Sequence, residues 1–233
     1  MRRSHAFIAA TLLAGTAVLA GCSSQGSSAE PGRQAADGQT CDWTGTGGSI
    51  LDASNAALST LDLNAMASEA AGVDVTVTGD PKARELDLFA EPGPTAPSAT
   101  DPMGLSRAEV TYSMTVQLPD GNTRVWSVQN SLSGLCFNDA TVHMSPWVGS
   151  TGVTNPTLEL GAALEAADKF RAANPDVYNP GYAVVSANLL QATTAPPDFG
   201  LPRWYINYAD PANPMALEIV AVYMDGKAIN PRG

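Results

Sequence analysis

Apolar and polar positions along this 233-residue chain change their spacing several times, and each change marks an element. The run from Ala6 to Gly21 is apolar and uncharged, and residues 23–40 are small and polar with no period. From Ser49 the spacing becomes helical. Leu51, Ala57, Leu58, Leu61 and Ala65 share one face, and Ser49 with Asp52 has the form of a capping box. Val73, Val75 and Val77 then alternate as a strand. Beyond the proline-rich stretch from Glu91 to Gly104, Val110, Tyr112, Met114, Val116 and Leu118 form the longest alternating run in the chain. Pro119-Asp120-Gly121-Asn122 is a turn by composition, and Thr123 to Gln129 resumes the alternation, which predicts a hairpin.

The second half follows the same order. Asn155 is placed to cap a helix and Pro156 to occupy its first position, while Leu160, Ala163, Leu164, Ala167 and Phe170 line one face. Glu165 and Lys169 stand at i,i+4 on the other face. Asn174-Pro175 stops the helix. Strands are expected over Ala183 to Thr193, Arg203 to Ala209 and Ala216 to Met224, with a loop through Asp210, Pro211, Ala212, Asn213 and Pro214, and Asp225-Gly226 closing the last. The expected class is α+β: two units, each a helix packed on an antiparallel sheet, side by side or fused into one sheet. Residues 41–139 form the first unit, 140–156 a connector and 157–233 the second unit. Ala56-Ala57-Leu58 lies 106 residues before Ala162-Ala163-Leu164, and Asp120-Gly121 lies 105 before Asp225-Gly226. That register fits a distant internal repeat, although Trp126 follows its turn and Trp204 precedes its own.

The first residues change the picture of where the chain works. Arg2 and Arg3 precede an apolar run that ends in Leu19-Ala20-Gly21-Cys22. A membrane span needs roughly 20 apolar residues, so this shorter run with its charged start and small-residue end has the anatomy of a cleavable signal. Its last four residues resemble the lipobox of bacterial lipoproteins. The resemblance implies removal of residues 1–21, a diacylglycerol unit on Cys22, and residues 22–40 as a flexible tether to the outer side of the cell membrane. One acyl chain holds a protein only marginally and two hold it firmly. Setting Cys22 aside, Cys41 and Cys136 are an even pair in an oxidising compartment and are most simply a disulfide. In the chain-entropy model a loop of nearly a hundred residues makes that bridge worth about 4–5 kcal/mol.

Charge then narrows the partners. Once the signal arginines are gone, ten basic residues face 23 acidic ones, a balance of −13. Such a surface repels phosphate backbones and anionic headgroups, so nucleic acid is excluded and lipid, not charge, holds the membrane. Candidate chemistry is sparse. His143 is the one histidine left after the signal, and no Gly-x-Ser-x-Gly elbow accompanies it. No Cys/His cluster suits zinc, no carboxylate spacing suits calcium, and Gly45-x-Gly47-Gly48 lacks the lysine and preceding strand of a phosphate loop. Asp120 and Asp225 read as turn residues. No catalytic residue, metal or cofactor is assigned. Trp126 and Trp204 fall in strands and suit a core, while Trp43 and Trp147 suit either packing between halves or a partner-facing patch.

Residues 157–233 resemble a PepSY-type domain, through the helix at Ala166-Ala167-Asp168-Lys169-Phe170, then Arg203-Trp204-Tyr205-Ile206, then Val220 to Lys227. That resemblance implies one helix on an antiparallel sheet and a binding or inhibitory module without catalytic residues. The reading that follows is a lipid-anchored module that binds an envelope protein or modulates an exported enzyme. Its candidate surface includes Asp210, Pro211, Asn213 and Pro214, a loop stiffened by two prolines. The alternatives are a carrier of a small apolar ligand, and a hydrolase of cell-wall or extracellular polymers working through carboxylates. The two cysteine assignments meet in one measurement. The intact mass of the chain from a bacterial host should carry lipid at Cys22, and no thiol should alkylate before reduction. An unlipidated Cys22, or two alkylated cysteines without reductant, refutes the respective assignment.

Overall fold

The computed structural model describes residues 33–40, 47–90, 103–133, 136–145, 153, 156–191 and 200–232. Its strands are β1 (Arg33–Thr40), β2 (Thr76–Ala90), β3 (Leu105–Gln117), β4 (Thr123–Ser133), β5 (Cys136–His143), β6 (Ala183–Gln191), β7 (Pro202–Asp210), β8 (Asn213–Tyr223) and β9 (Ala228–Ile229), with helices α1 (Gly47–Leu58), α2 (Leu63–Ala71) and α3 (Leu160–Ala173). All nine strands join one antiparallel sheet in the order β1-β5-β4-β3-β2-β6-β7-β8-β9. The class is therefore α+β, with the sheets of the two halves fused. Strands β2 to β5 make one meander and β6 to β9 another, and the two meet through their first strands, Glu85 to Phe89 opposing Leu190 to Ser186.

Period-2 alternation decides which side the helices cover. Leu86 and Leu88 on β2, Val110 and Tyr112 on β3, Leu189 on β6, Trp204 and Ile206 on β7 and Val222 on β8 all point to one face and are fully buried. The three helices press on that face. Ile50, Leu51, Ala57 and Leu58 of α1, Met66 and Ala67 of α2, and Leu160, Ala163 and Ala167 of α3 join the strand residues in one continuous apolar cluster. A polar link crosses it: the Tyr112 hydroxyl donates to Ser54 Oγ at 2.7 Å, and Asn130 Nδ2 donates to Ser54 Oγ and O at 3.0 and 2.9 Å.

Trp204 ties the helix layer together. Its Nε1 donates to the Leu158 carbonyl at 2.8 Å, just ahead of α3, while its ring lies against the first residue of α1. Gly47 is there because nothing larger fits: a Cβ would stand 2.6 Å from Trp204 Cζ2. Next to it, the Gly48 N–H donates to Glu159 Oε2 at 3.4 Å, so the residue preceding α3 caps α1 instead. At the other end of α3, the Arg171 guanidinium stacks 3.7 Å above the Tyr208 ring and donates to Asn179 O at 2.6 Å. The Tyr208 hydroxyl donates to Asp168 Oδ1 at 2.9 Å. Glu165 and Lys169 pair at 2.6 Å, as their spacing predicts.

Several expectations need correction. The first helix is two: Ser59 and Thr60 hydroxyls donate back to the carbonyls of Ala56 and Ala57, and Asp62 starts α2 by accepting from the Ala65 N–H at 3.0 Å. Ser49 lies inside α1, not at its cap. β2 continues far past Val77, because Gly79-Asp80-Pro81 is a bulge with Gly79 at φ +74° and not a chain reversal. Arg33–Thr40, expected to be tether, pairs with β5. The connector begins later than residue 140, since Ala140 and Val142 enter the core from β5. Pro156 precedes α3, which starts at Leu160; Asn155 lies outside the described residues. The Asp-Gly register does not follow the meanders: Asp120-Gly121 joins β3 to β4, the second and third strands of the first meander, whereas Asp225-Gly226 joins β8 to β9, the third and fourth of the other.

The Trp204 contact makes two adjacent glycines unequal. Gly47→Ala should lower unfolding stability by about 1–3 kcal/mol through overpacking. Gly48→Ala meets only the end of the Glu159 side chain, at 3.0 Å, and should cost less. Urea unfolding of the two variants checks the order.

Candidate functional site

The same alternation that buries Leu86 and Leu88 turns Glu85, Asp87 and Phe89 to the opposite face of the sheet. Among the described residues no helix lies there. Cross-strand register brings Glu109 and Arg107 of β3 beside Asp87 and Phe89, and Asn188 of β6 directly opposite Asp87. Gln129 of β4, opposite Thr111, and Tyr205 and Asn207 of β7, opposite Asn188 and Ser186, extend the polar row on either side. The face is half-buried, with Thr111, Ser113 and Ser127 buried outright.

Hydrogen bonds run along this row. Gln129 Nε2 donates to Glu109 Oε2 at 2.7 Å. Asn188 Nδ2 donates to Asp87 Oδ1. Asn207 Nδ2 donates to Asn188 Oδ1 at 2.8 Å and to Ser186 Oγ at 2.9 Å. Arg107 lies 3.4 Å from Glu109 Oε1 and 4.1 Å above the Phe89 ring, and Arg84 Nε donates to Ser113 Oγ at 2.7 Å. The bonds therefore form two runs, β4-β3 and β2-β6-β7, with Arg84–Ser113 linking β2 to β3 farther along, and the second run crosses the junction of the two halves.

Burial and crowding hold protons on it. Burial first, then the Asp87 charge and a hydrogen bond to Asp87, push the Glu85 carboxyl from near 4.5 up to about 7. Asp87 is also raised, by burial against the opposing pull of its bond from Asn188. Glu85 faces Asp87 on its own strand, Thr111 and Glu109 on β3, and Leu190 on β6, with Arg84 beside it in sequence and Arg203 two strands across in register. Two carboxyls joined by one hydrogen bond behave as a shared-proton pair.

The residues singled out by sequence lie elsewhere. Asp210 begins a tight turn at the tip of the β7–β8 hairpin, its Oδ1 accepting from the Ala212 N–H at 2.8 Å. Asn213 and Pro214 already belong to β8, so the expected five-residue loop is only Pro211-Ala212. His143 ends β5, exposed, opposite Ser127. Asp120 and Asp225 bond the N–H groups two residues on, at 2.9 Å, as turn residues do. Trp126 and Trp204 are core residues. Cys22, Cys41, Trp43 and Trp147 lie outside the described residues, and the Cys136 side chain is not described. No group of three or more metal-ligating side chains occurs among the described residues. Sequence reasoning missed the ladder, although Glu85-Leu86-Asp87-Leu88 alternates. Comparison with models of known families, with curated proteins and with solved structures found no match for this chain.

The shared proton sets the pH dependence of stability. Between pH 4.5 and 7 the folded chain holds a proton on Glu85 that the unfolded chain releases, so raising pH through this window destabilises the fold. After allowing for the water that still reaches the carboxyl, the loss should be about 1–2 kcal/mol. Glu85→Gln should flatten that slope. Denaturant unfolding of both proteins at pH 5 and pH 8 checks it, and an equal slope in the variant refutes the assignment.

Proposed function

We propose that the mature chain is a lipid-anchored, extracytoplasmic binding module without turnover of its own, whose working surface is the face of the sheet opposite α1, α2 and α3. The carrying observation is the polar ladder. Five strands align amides and carboxyls at the junction of the two halves, on a face against which no helix lies among the described residues. Groups fixed in this way recognise a ligand with little ordering cost. The lipobox resemblance at Leu19 to Cys22 supports the anchor. The Cys41–Cys136 bridge draws support from register: Thr40, the neighbour of Cys41, pairs with Phe137, the neighbour of Cys136.

The alternatives gain less. An apolar carrier needs an apolar cavity, and the one of about 510 Å³ between α1, α2 and β2 is lined by Asn55, Asp62, Asn64 and Asp80 as well as by Leu58 and Val77. A glycosidase of the two-carboxylate kind needs separated acids, and Glu85 and Asp87 share a hydrogen bond. Two helix-then-meander halves that meet at their first strands support a distant duplication. A helix followed by antiparallel strands over 160–229 supports the PepSY-type reading of the second half.

A photo-crosslinking residue in place of Arg107, which is 54% exposed on the ladder face, should capture a partner, protein or polysaccharide, in living cells. The same residue in place of Lys169, 75% exposed on α3, or of Asn213 at the hairpin tip should not. Adducts from Lys169 or Asn213 alone would move the working surface to the helix layer or to the Asp210–Pro214 turn.

A further inference from the structure

The polar row does not end at the amides. Tyr205 is the Cα partner of Asn188, one strand spacing or about 4.8 Å away, and it shares its face with Arg203 and Tyr223. The Arg203 guanidinium lies 5.8 Å from the Tyr205 ring centroid and 4.5 Å from that of Tyr223. Both rings are half-buried on the same face as the ladder. Hydrogen-bonding groups in fixed positions thus stand directly beside aromatic surface.

We propose that this row is a saccharide-binding site, taking a neutral oligosaccharide across β3, β2, β6 and β7. Amides and carboxyls would bond the sugar hydroxyls, and Tyr205 would pack on the apolar face of a sugar ring. The proposal rests on reading the face opposite the helices as the working surface, and names its ligand class.

Three features select that class. A sugar hydroxyl both donates and accepts, and so do the groups here: Asn188 accepts from Asn207 while donating to Asp87. Among the described residues the face carries both signs: Arg84, Arg107 and the buried Arg203 stand among Glu109 and the proton-sharing Glu85–Asp87 pair, with Lys82 at the margin opposite Ser113. A polyanion would meet the carboxyls and a polycation the arginines, so a neutral polar chain is the ligand that neither sign rejects. An apolar ligand would strand the whole ladder without water or partner. The ladder groups also hold one another in place, so little rotamer freedom remains to be lost on binding.

The test uses the mature lipidated protein in a non-sugar detergent on an array of neutral, acidic and amino oligosaccharides. Retention of one or more neutral chains is expected. Tyr205→Ala and Asn207→Ala should each weaken binding at least tenfold, Tyr205→Phe should keep most of it, and Lys169→Ala on the far side should stay within twofold. Thermal unfolding establishes that each variant is folded; should Tyr205→Ala fail, Asn207→Ala with Tyr205→Phe carries the same readout. No retained sugar, retention of acidic chains alone, or folded variants that bind like wild type would each overturn the proposal. If position 107 still captures a protein in cells, only the ligand class falls. If it captures nothing either, the ladder face falls with it.

Discussion

Everything in this molecule depends on the five residue pairs that join β2 to β6. Each half alone is a meander with one apolar face and one unpaired first strand. Pairing those two strands makes a single sheet, which gives the helices one floor to cover and lets Trp204 of the second half receive the start of α1 from the first. The junction also carries the polar ladder, because Asp87 and Asn188 are opposed in that pairing. Inner leucines, Leu86 and Leu189, and outer polar groups therefore meet at the same seam. One register shift of a single residue would send both sets to the wrong face.

Local elements were legible where the pattern was local. The β3–β4 hairpin follows its alternation and its Pro-Asp-Gly-Asn turn, and α3 follows its apolar stripe and its Glu165–Lys169 pair. What escaped depends on distant partners. The strand read at Val73 to Val77 runs on through the Gly79-Asp80-Pro81 bulge because pairing with β3 resumes at Lys82. Arg33–Thr40 has no apolar period; it is a strand because β5 offers it an edge. Glu159 caps α1 across a separation of 111 residues, a partnership no capping rule reads from neighbours.

The site was half legible for the same reason. Alternation alone places Glu85 and Asp87 on one face, away from Leu86 and Leu88. That the face carries hydrogen bonds follows from Gln129, Glu109, Asn188 and Asn207 on other strands, and that Glu85 keeps a proton near neutrality follows from burial between those strands and the charge of Asp87 beside it. Rigid turns such as Asp210-Pro211 draw the eye in a sequence because proline is conspicuous, yet this one is a compact hairpin tip. Amides scattered over three strands leave no such mark.

The seam also sets an order of events. Asp87 and Asn188 are separated by 101 residues, and contacts so distant in sequence form late and slowly. A chain emerging from its N-terminus completes the first meander long before β6 exists, and for that interval β2 is a naked edge open to any neighbouring strand. Two carboxyls and a glycine–proline bulge are what natural edge strands carry to turn such neighbours away. The residues that finish as the centre of the ladder thus begin as sentries against aggregation, and their acidity serves the nascent chain before it serves the folded one.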